Sequence, residues 1–159
     1  MNETRVLIVE DEEYLRDIYY EILSEEGFYV ETAQEGNEGL LKVRQGGWDL
    51  ILMDVILPNI DGIEIIRRVK TNEPPEKPNK KIIFLTNLDK DKEMGQALSL
   101  GDGYIIKSQI TPDVLMGKIR TYLSAPGQTT QSPQTPLQNQ SQTKPNLPQK
   151  PENSQEPLN

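Results

Sequence analysis

Five residue positions in this 159-residue chain carry groups that could do chemistry together: the acids Glu10 and Asp11, the acid Asp54, the hydroxyl of Thr86 and the amine of Lys107. Each stands at the end of an apolar run, Val6 to Val9, Leu50 to Met53, Lys81 to Leu85 and Tyr104 to Ile106 respectively. Taken singly, each has an ordinary reading: acids ahead of a helix complement its dipole, an Asp caps a turn, and Thr and Lys are common loop residues. Delivered together to one edge, they make a different object. Clustered carboxylates repel, so either their protons are retained or a hard divalent cation such as Mg²⁺ or Mn²⁺ binds among them. A bound cation reverses the local sign and admits a phosphoryl group, with further oxygens on Lys107 and Thr86 and a carboxylate oxygen as nucleophile. The product of that chemistry is an aspartyl phosphate, and the acid at the middle of the set is Asp54.

The elements that must position these groups alternate in type along the chain. A strand at Val6 to Val9 precedes a helix from Tyr14 to Glu25, whose Leu15, Ile18, Tyr19 and Ile22 recur at helical spacing before Gly27. A strand at Phe28 to Thr32 leads to a helix from Asn37 to Arg44, stopped by Gly46 and Gly47. Leu50 to Met53 is apolar throughout, as a strand covered on both faces should be, and Asp61-Gly62 opens a helix to about Lys70. Pro74, Pro75 and Pro78 then force an extended loop. A fourth strand at Lys81 to Leu85 and a helix from Lys90 to Leu100 follow; Gly95 weakens that helix by about 1 kcal/mol relative to Ala. Gly101 and Gly103 end it, Tyr104 to Ile106 is a fifth strand, and Thr111-Pro112 caps a last helix with Val114, Leu115, Ile119 and Leu123 on its buried face. Consecutive βα units imply an α/β fold, one doubly wound parallel sheet of five strands with helices on both faces, and ligands in such sheets bind beyond the strands' carboxyl ends.

Composition narrows the chemistry further. The chain has no Cys and no His, which removes disulfides, thiol nucleophiles, the common zinc sites and histidine-assisted hydrolysis. Its net charge of −8 disfavours binding to nucleic acid or an anionic membrane. No signal-peptide pattern or membrane-length apolar run is present, so the expected location is cytoplasmic. Residues 125–159 contain seven of the twelve prolines and eight glutamines, and are expected to form a disordered tail. The charges there, Lys144, Lys150, Glu152 and Glu156, cancel, so the whole −8 belongs to residues 1–124, the expected folded domain.

Residues 4–124 resemble the receiver domain of bacterial two-component response regulators, in the single-domain form of the chemotaxis regulators. The resemblance rests on Glu10-Asp11, Asp54 with Leu57-Pro58 and Asp61-Gly62 behind it, Thr86 and Lys107, in that order and strand context. It implies a flavodoxin-like strand order 2-1-3-4-5, phosphorylation of Asp54 by a sensor histidine kinase, and output through contact with a downstream protein. It also implies that Glu10, Asp11, Asp54 and the main-chain carbonyl of Ile56 ligate Mg²⁺, and that Thr86 and Tyr104 form a switch pair beside Lys107. The chain would catalyse only its own phosphorylation and dephosphorylation. With no His of its own, it needs its phosphoryl donor in another protein. Nothing after Leu123 resembles a DNA-binding or enzyme domain, and the surface of helix four, strand five and helix five is the expected binding face, or a homodimer interface.

Two departures from the family pattern fall beside that face. Lys107 is followed by Ser108 where the family has proline after a cis bond, leaving the isomer open here. The Gly101-Asp102-Gly103-Tyr104 turn is one residue shorter than usual. Among competing readings, an FMN carrier would need phosphate-binding amides where Glu10 to Glu13 stand, and a haloacid-dehalogenase-type phosphatase needs an acid where Ile56 stands. A receiver-like interaction module that is never phosphorylated would keep the fold but has no need of Thr86 and Lys107.

Overall fold

The computed structural model describes residues 2–87 and 91–125. Strands β1 (Arg5–Val9), β2 (Tyr29–Ala33), β3 (Leu50–Asp54), β4 (Lys81–Thr86) and β5 (Gly103–Ile106) pair in parallel in the order 2-1-3-4-5. Helices α1 (Glu13–Glu25), α2 (Gly36–Gln45), α3 (Gly62–Thr71), α4 (Asp91–Leu100) and α5 (Pro112–Ser124) connect or follow them. The expected elements all form, with ends shifted by a residue or so where a cap decides the boundary. The start expected for α4 at Lys90, and all but the first residue of the tail expected over 125–159, lie outside the described residues.

Alternation along the strands sorts their side chains into two layers. Leu7, Val9, Ile51, Met53 and Phe84 pack on one face with Val43 of α2, Ile65 and Ile66 of α3 and Ala97 of α4. Val6, Ile8, Leu50, Leu52, Ile83, Leu85 and Ile105 pack on the other with Tyr19 and Leu23 of α1 and Leu115, Met116 and Ile119 of α5. Because β1 and β3 are central and covered on both sides, Glu10 and Asp54 at their carboxyl ends are buried.

Two helix faces differ from expectation. In α1 the fully buried stripe is Arg16, Tyr19 and Leu23, while Leu15, Ile18 and Ile22 pack at its flanks. The face is rotated because it must cover the turn after β1 as well as the sheet. In α5 Met116 takes the buried place expected of Val114, which is 38% exposed. Pro112 stands at the first position of the helix, and Thr111 accepts the Val114 N–H at 3.3 Å as expected of a cap.

The short turn into β5 is pinned by Asp102, whose N–H donates to the Ile82 carbonyl at 2.8 Å while its carboxylate accepts the Ile82 N–H at 2.8 Å. Gly103 belongs to β5 rather than to the end of α4, and its bare Cα accommodates the Tyr122 ring. The Lys107–Ser108 peptide is trans, since no cis bond occurs among the described residues, and Lys107–Gln109 forms one turn of 3₁₀ helix.

Candidate functional site

Strand β1 ends at Val9, so Glu10 is the first residue past the sheet; its N–H still pairs with the Ala33 carbonyl at 3.1 Å. That bond fixes its side chain inside the rim, where it is fully buried. Asp54, last residue of β3, is 4% exposed, and Asp11 lies open to solvent. One carboxylate oxygen from each of Glu10, Asp11 and Asp54 lies within 4.8 Å of the others. A glycine at residue 62 is required by this packing, because a Cβ there would collide with the Asp54 carbonyl oxygen. Asp61 then caps α3 by accepting the Glu64 N–H at 2.7 Å.

Lys107 reaches across from the end of β5 to both buried acids. Its Nζ lies 3.0 Å from Asp54 Oδ2 and 2.9 Å from Glu10 Oε2. The other Asp54 oxygen accepts the Ile56 N–H at 3.2 Å, and Glu10 Oε1 accepts the Glu12 N–H at 3.1 Å. Glu10 Oε2 faces the ammonium without a directed hydrogen bond and has no other partner among the described residues. A buried acid oxygen left in that state, beside two further carboxylates, is an oxygen donor set suited to a small hard cation. The residues present therefore fit Mg²⁺ or Mn²⁺.

Electrostatics in the pocket follow from burial and proximity. Desolvation, then the neighbouring Asp54 charge, push the Glu10 carboxyl up to about 7. Burial likewise raises Asp54, against the pull of Lys107. For Lys107 burial alone would lower the pKa, but the two carboxylates outweigh it and hold the ammonium above its usual range. The pocket without metal thus keeps its ammonium and binds its carboxyl protons more tightly than water would.

Thr86 and Tyr104 sit in adjacent strands on the same face, since Phe84 pairs with Tyr104 in register and Thr86 is two residues beyond Phe84. The Thr86 hydroxyl is buried and donates to the Asn87 carbonyl at 3.2 Å, turned along its own loop. The Tyr104 ring is half-buried against the α2–α4 side of the core. Ile56 projects its side chain outward, 51% exposed.

Two residues escaped the sequence reading. Arg16 is 8% exposed, and its Nη1 donates to the main-chain carbonyls of Glu10 at 3.0 Å and Asp11 at 3.3 Å. Tyr19, read only as a core residue, buries a hydroxyl with no partner among the described residues; desolvation and then the Glu10 charge push it up to about 12. The available signal was their spacing from Leu23, which places a cation and a phenol on the buried stripe of α1.

The family model described as the response regulator receiver domain matches residues 6–120. A chemotaxis protein CheY of Halobacterium salinarum is 33% identical over 112 residues, covering 70% of this chain and 90% of that protein. The phosphate regulon transcriptional regulatory protein PhoB of Rhizobium meliloti is 34% identical over 120 residues, covering 75% of this chain and 52% of its own length. The chain spans about half the length of most of the curated relatives it matches. Among solved structures, a CheY-like receiver domain protein from Methanospirillum hungatei aligns with a TM-score of 0.66 at 31% identity, over 77% of this chain and 94% of that one.

Proposed function

This chain belongs to the response regulator receiver domain family, and from that premise we propose that Asp54 accepts a phosphoryl group from a phosphohistidine of a sensor histidine kinase, switching contact with a downstream protein. The observation that carries the proposal is the Lys107 ammonium lying between Asp54 at 3.0 Å and Glu10 at 2.9 Å, because it draws the ends of β1, β3 and β5 into one charged pocket.

In the proposed transfer an Asp54 carboxylate oxygen attacks phosphorus, the phosphorus–nitrogen bond to the donor imidazole breaks, and the imidazole leaves with the bonding pair. Lys107, already held cationic by its two acid partners, offsets negative charge on the transferred group. Glu10, Asp11 and Asp54, with the Ile56 main-chain carbonyl, would hold Mg²⁺ or Mn²⁺. When bound, the cation supplies the positive charge that admits a phosphoryl group among carboxylates. The buried Thr86 hydroxyl is an uncharged donor at the end of β4, and its turn from the Asn87 carbonyl toward a phosphoryl oxygen would open space on the sheet face it shares with Tyr104.

Support for an output surface comes from β5 and α5. Tyr104, Ile106, Gln109, Val114, Lys118 and Tyr122 line one cleft there, and the exposure of Val114 gives it an apolar lip. A protein partner or a second copy of the chain could seat on it. No described helix is long and apolar enough to cross a membrane. Residues 1–124 then act as the receiver, with the proline- and glutamine-rich remainder as an extension. The test is incubation with Mg²⁺ and acetyl phosphate: the proposal expects a mass gain of one phosphoryl group that EDTA prevents, and no gain would refute it.

A further inference from the structure

A guanidinium is charged at every relevant pH, so burying Arg16 is unfavourable unless its hydrogens are well used. Among the described residues no carboxylate lies within ion-pair distance of it. Its partners are the consecutive main-chain carbonyls of Glu10 and Asp11, both reached from the same Nη1. Helical side chains lean toward the helix N-terminus, which is how residue 16, in the first full turn of α1, reaches back over the turn that precedes the helix. Those two carbonyls accept no other hydrogen bond among the described residues, whereas the same turn is held from its other side by Glu10 N–H on Ala33 and Glu12 N–H on Glu10 Oε1.

We propose that Arg16 is a positioning residue for the metal pocket: by clamping the carbonyls of Glu10 and Asp11 it fixes the turn from which both acids present their carboxylates. The inference rests on the metal site proposed above. Without the clamp, two carbonyls lose their donor, the turn relaxes, and the exposed Asp11 carboxylate no longer holds its distance from the buried pair. Arg16 acts through the geometry of the turn, since its hydrogen bonds go to main-chain carbonyls and not to the acids. Its effect is therefore on ion binding, with the phosphoryl-transfer machinery of Asp54 and Lys107 left in place.

The test is Mn²⁺ binding followed by the electron paramagnetic resonance signal of the free ion, with thermal midpoints measured in parallel. Arg16→Met is expected to weaken Mn²⁺ binding about tenfold. It should raise the Mg²⁺ concentration for half-maximal phosphorylation by acetyl phosphate to a similar degree, with the maximal rate retained. Arg16→Lys keeps a charge and a donor but loses the planar fork, and should recover part of the affinity; should Arg16→Met fail to fold, this variant carries the comparison. Mn²⁺ affinity equal to wild type in a folded variant overturns the role of Arg16 alone, even if the thermal midpoint falls. A wild-type chain that leaves the free-ion signal undiminished overturns the metal site and the clamp with it.

Discussion

Lys107 Nζ stands 3.0 Å from Asp54 Oδ2, joining residues 53 apart in sequence at the carboxyl edge of the sheet. Because the lysine is also 2.9 Å from Glu10 and its side chain is only 11% exposed, this is a buried triad whose charges depend on one another. Replacing Lys107 by Met leaves two desolvated acids without their cation. We expect a loss of about 2 kcal/mol at pH 8 in chelator, less than a fixed buried charge would cost because the acids can retain a proton instead. Urea denaturation checks it, and an unchanged midpoint would show that the triad is not stabilising.

The same triad sets a pH dependence. Glu10 titrates near 7 in the folded chain against 4.5 when unfolded, and Asp54 shifts in the same direction. The folded state therefore binds more protons than the unfolded one between those values. The stabilisation is complete below about 4.5 and is lost as the pH rises through about 7. The chain has no His, and the lowered carboxyls Glu35, Asp49 and Glu64 shift stability only at more acidic pH. In EDTA, stability should fall by on the order of 2 kcal/mol between pH 5 and 8. Mg²⁺ should flatten that slope by holding the carboxylates ionised. A metal-free stability that rises over this range would contradict the electrostatics.

Ile56 bears on the lifetime of the phosphorylated state. Its side chain, 51% exposed beside Asp54, has no group to orient an attacking water. The aspartyl phosphate should be long-lived, and Ile56→Asn or Ile56→Glu should shorten its half-life about tenfold. Phosphate release after removal of acetyl phosphate measures this, and an unaltered half-life would show that water enters by another path.

Trp48 offers a negative control. It is 1% exposed, precedes β3 at the opposite end from Asp54, donates from Nε1 to the Lys42 carbonyl at 2.9 Å, and carries the Arg5 guanidinium 4.4 Å from its ring centre. Its fluorescence should not respond to Mg²⁺. A strong response would mean that the pocket couples through the whole length of the central strand.

Of the candidate site, the sequence already marks Glu10, Asp11, Asp54, Thr86 and Lys107, each at the end of an apolar strand, and the sheet brings Glu10, Asp11, Asp54 and Lys107 together at one rim. Arg16 is legible only in part: its spacing from Tyr19 and Leu23 puts it on the buried stripe of α1, while its use lies in main-chain carbonyls that no side-chain pattern marks. Val114 was misplaced for a related reason: Val114 and Met116 flank the buried Leu115 by about 100° on either side, and which of them faces the sheet depends on how α5 docks, which spacing alone leaves open. The trans peptide at Lys107–Ser108 is likewise not fixed by the sequence, and it still lets Lys107 reach both acids.

Borohydride reduction of the acetyl phosphate-treated chain, followed by peptide mass mapping, tests the central claim most directly. An aspartyl phosphate is reduced to homoserine, which marks the modified position in the peptide itself. The account predicts homoserine at position 54 alone, and none when the treatment is repeated on Asp54→Asn. Homoserine at position 11, or a phosphorylated chain in which position 54 remains aspartate, would contradict it.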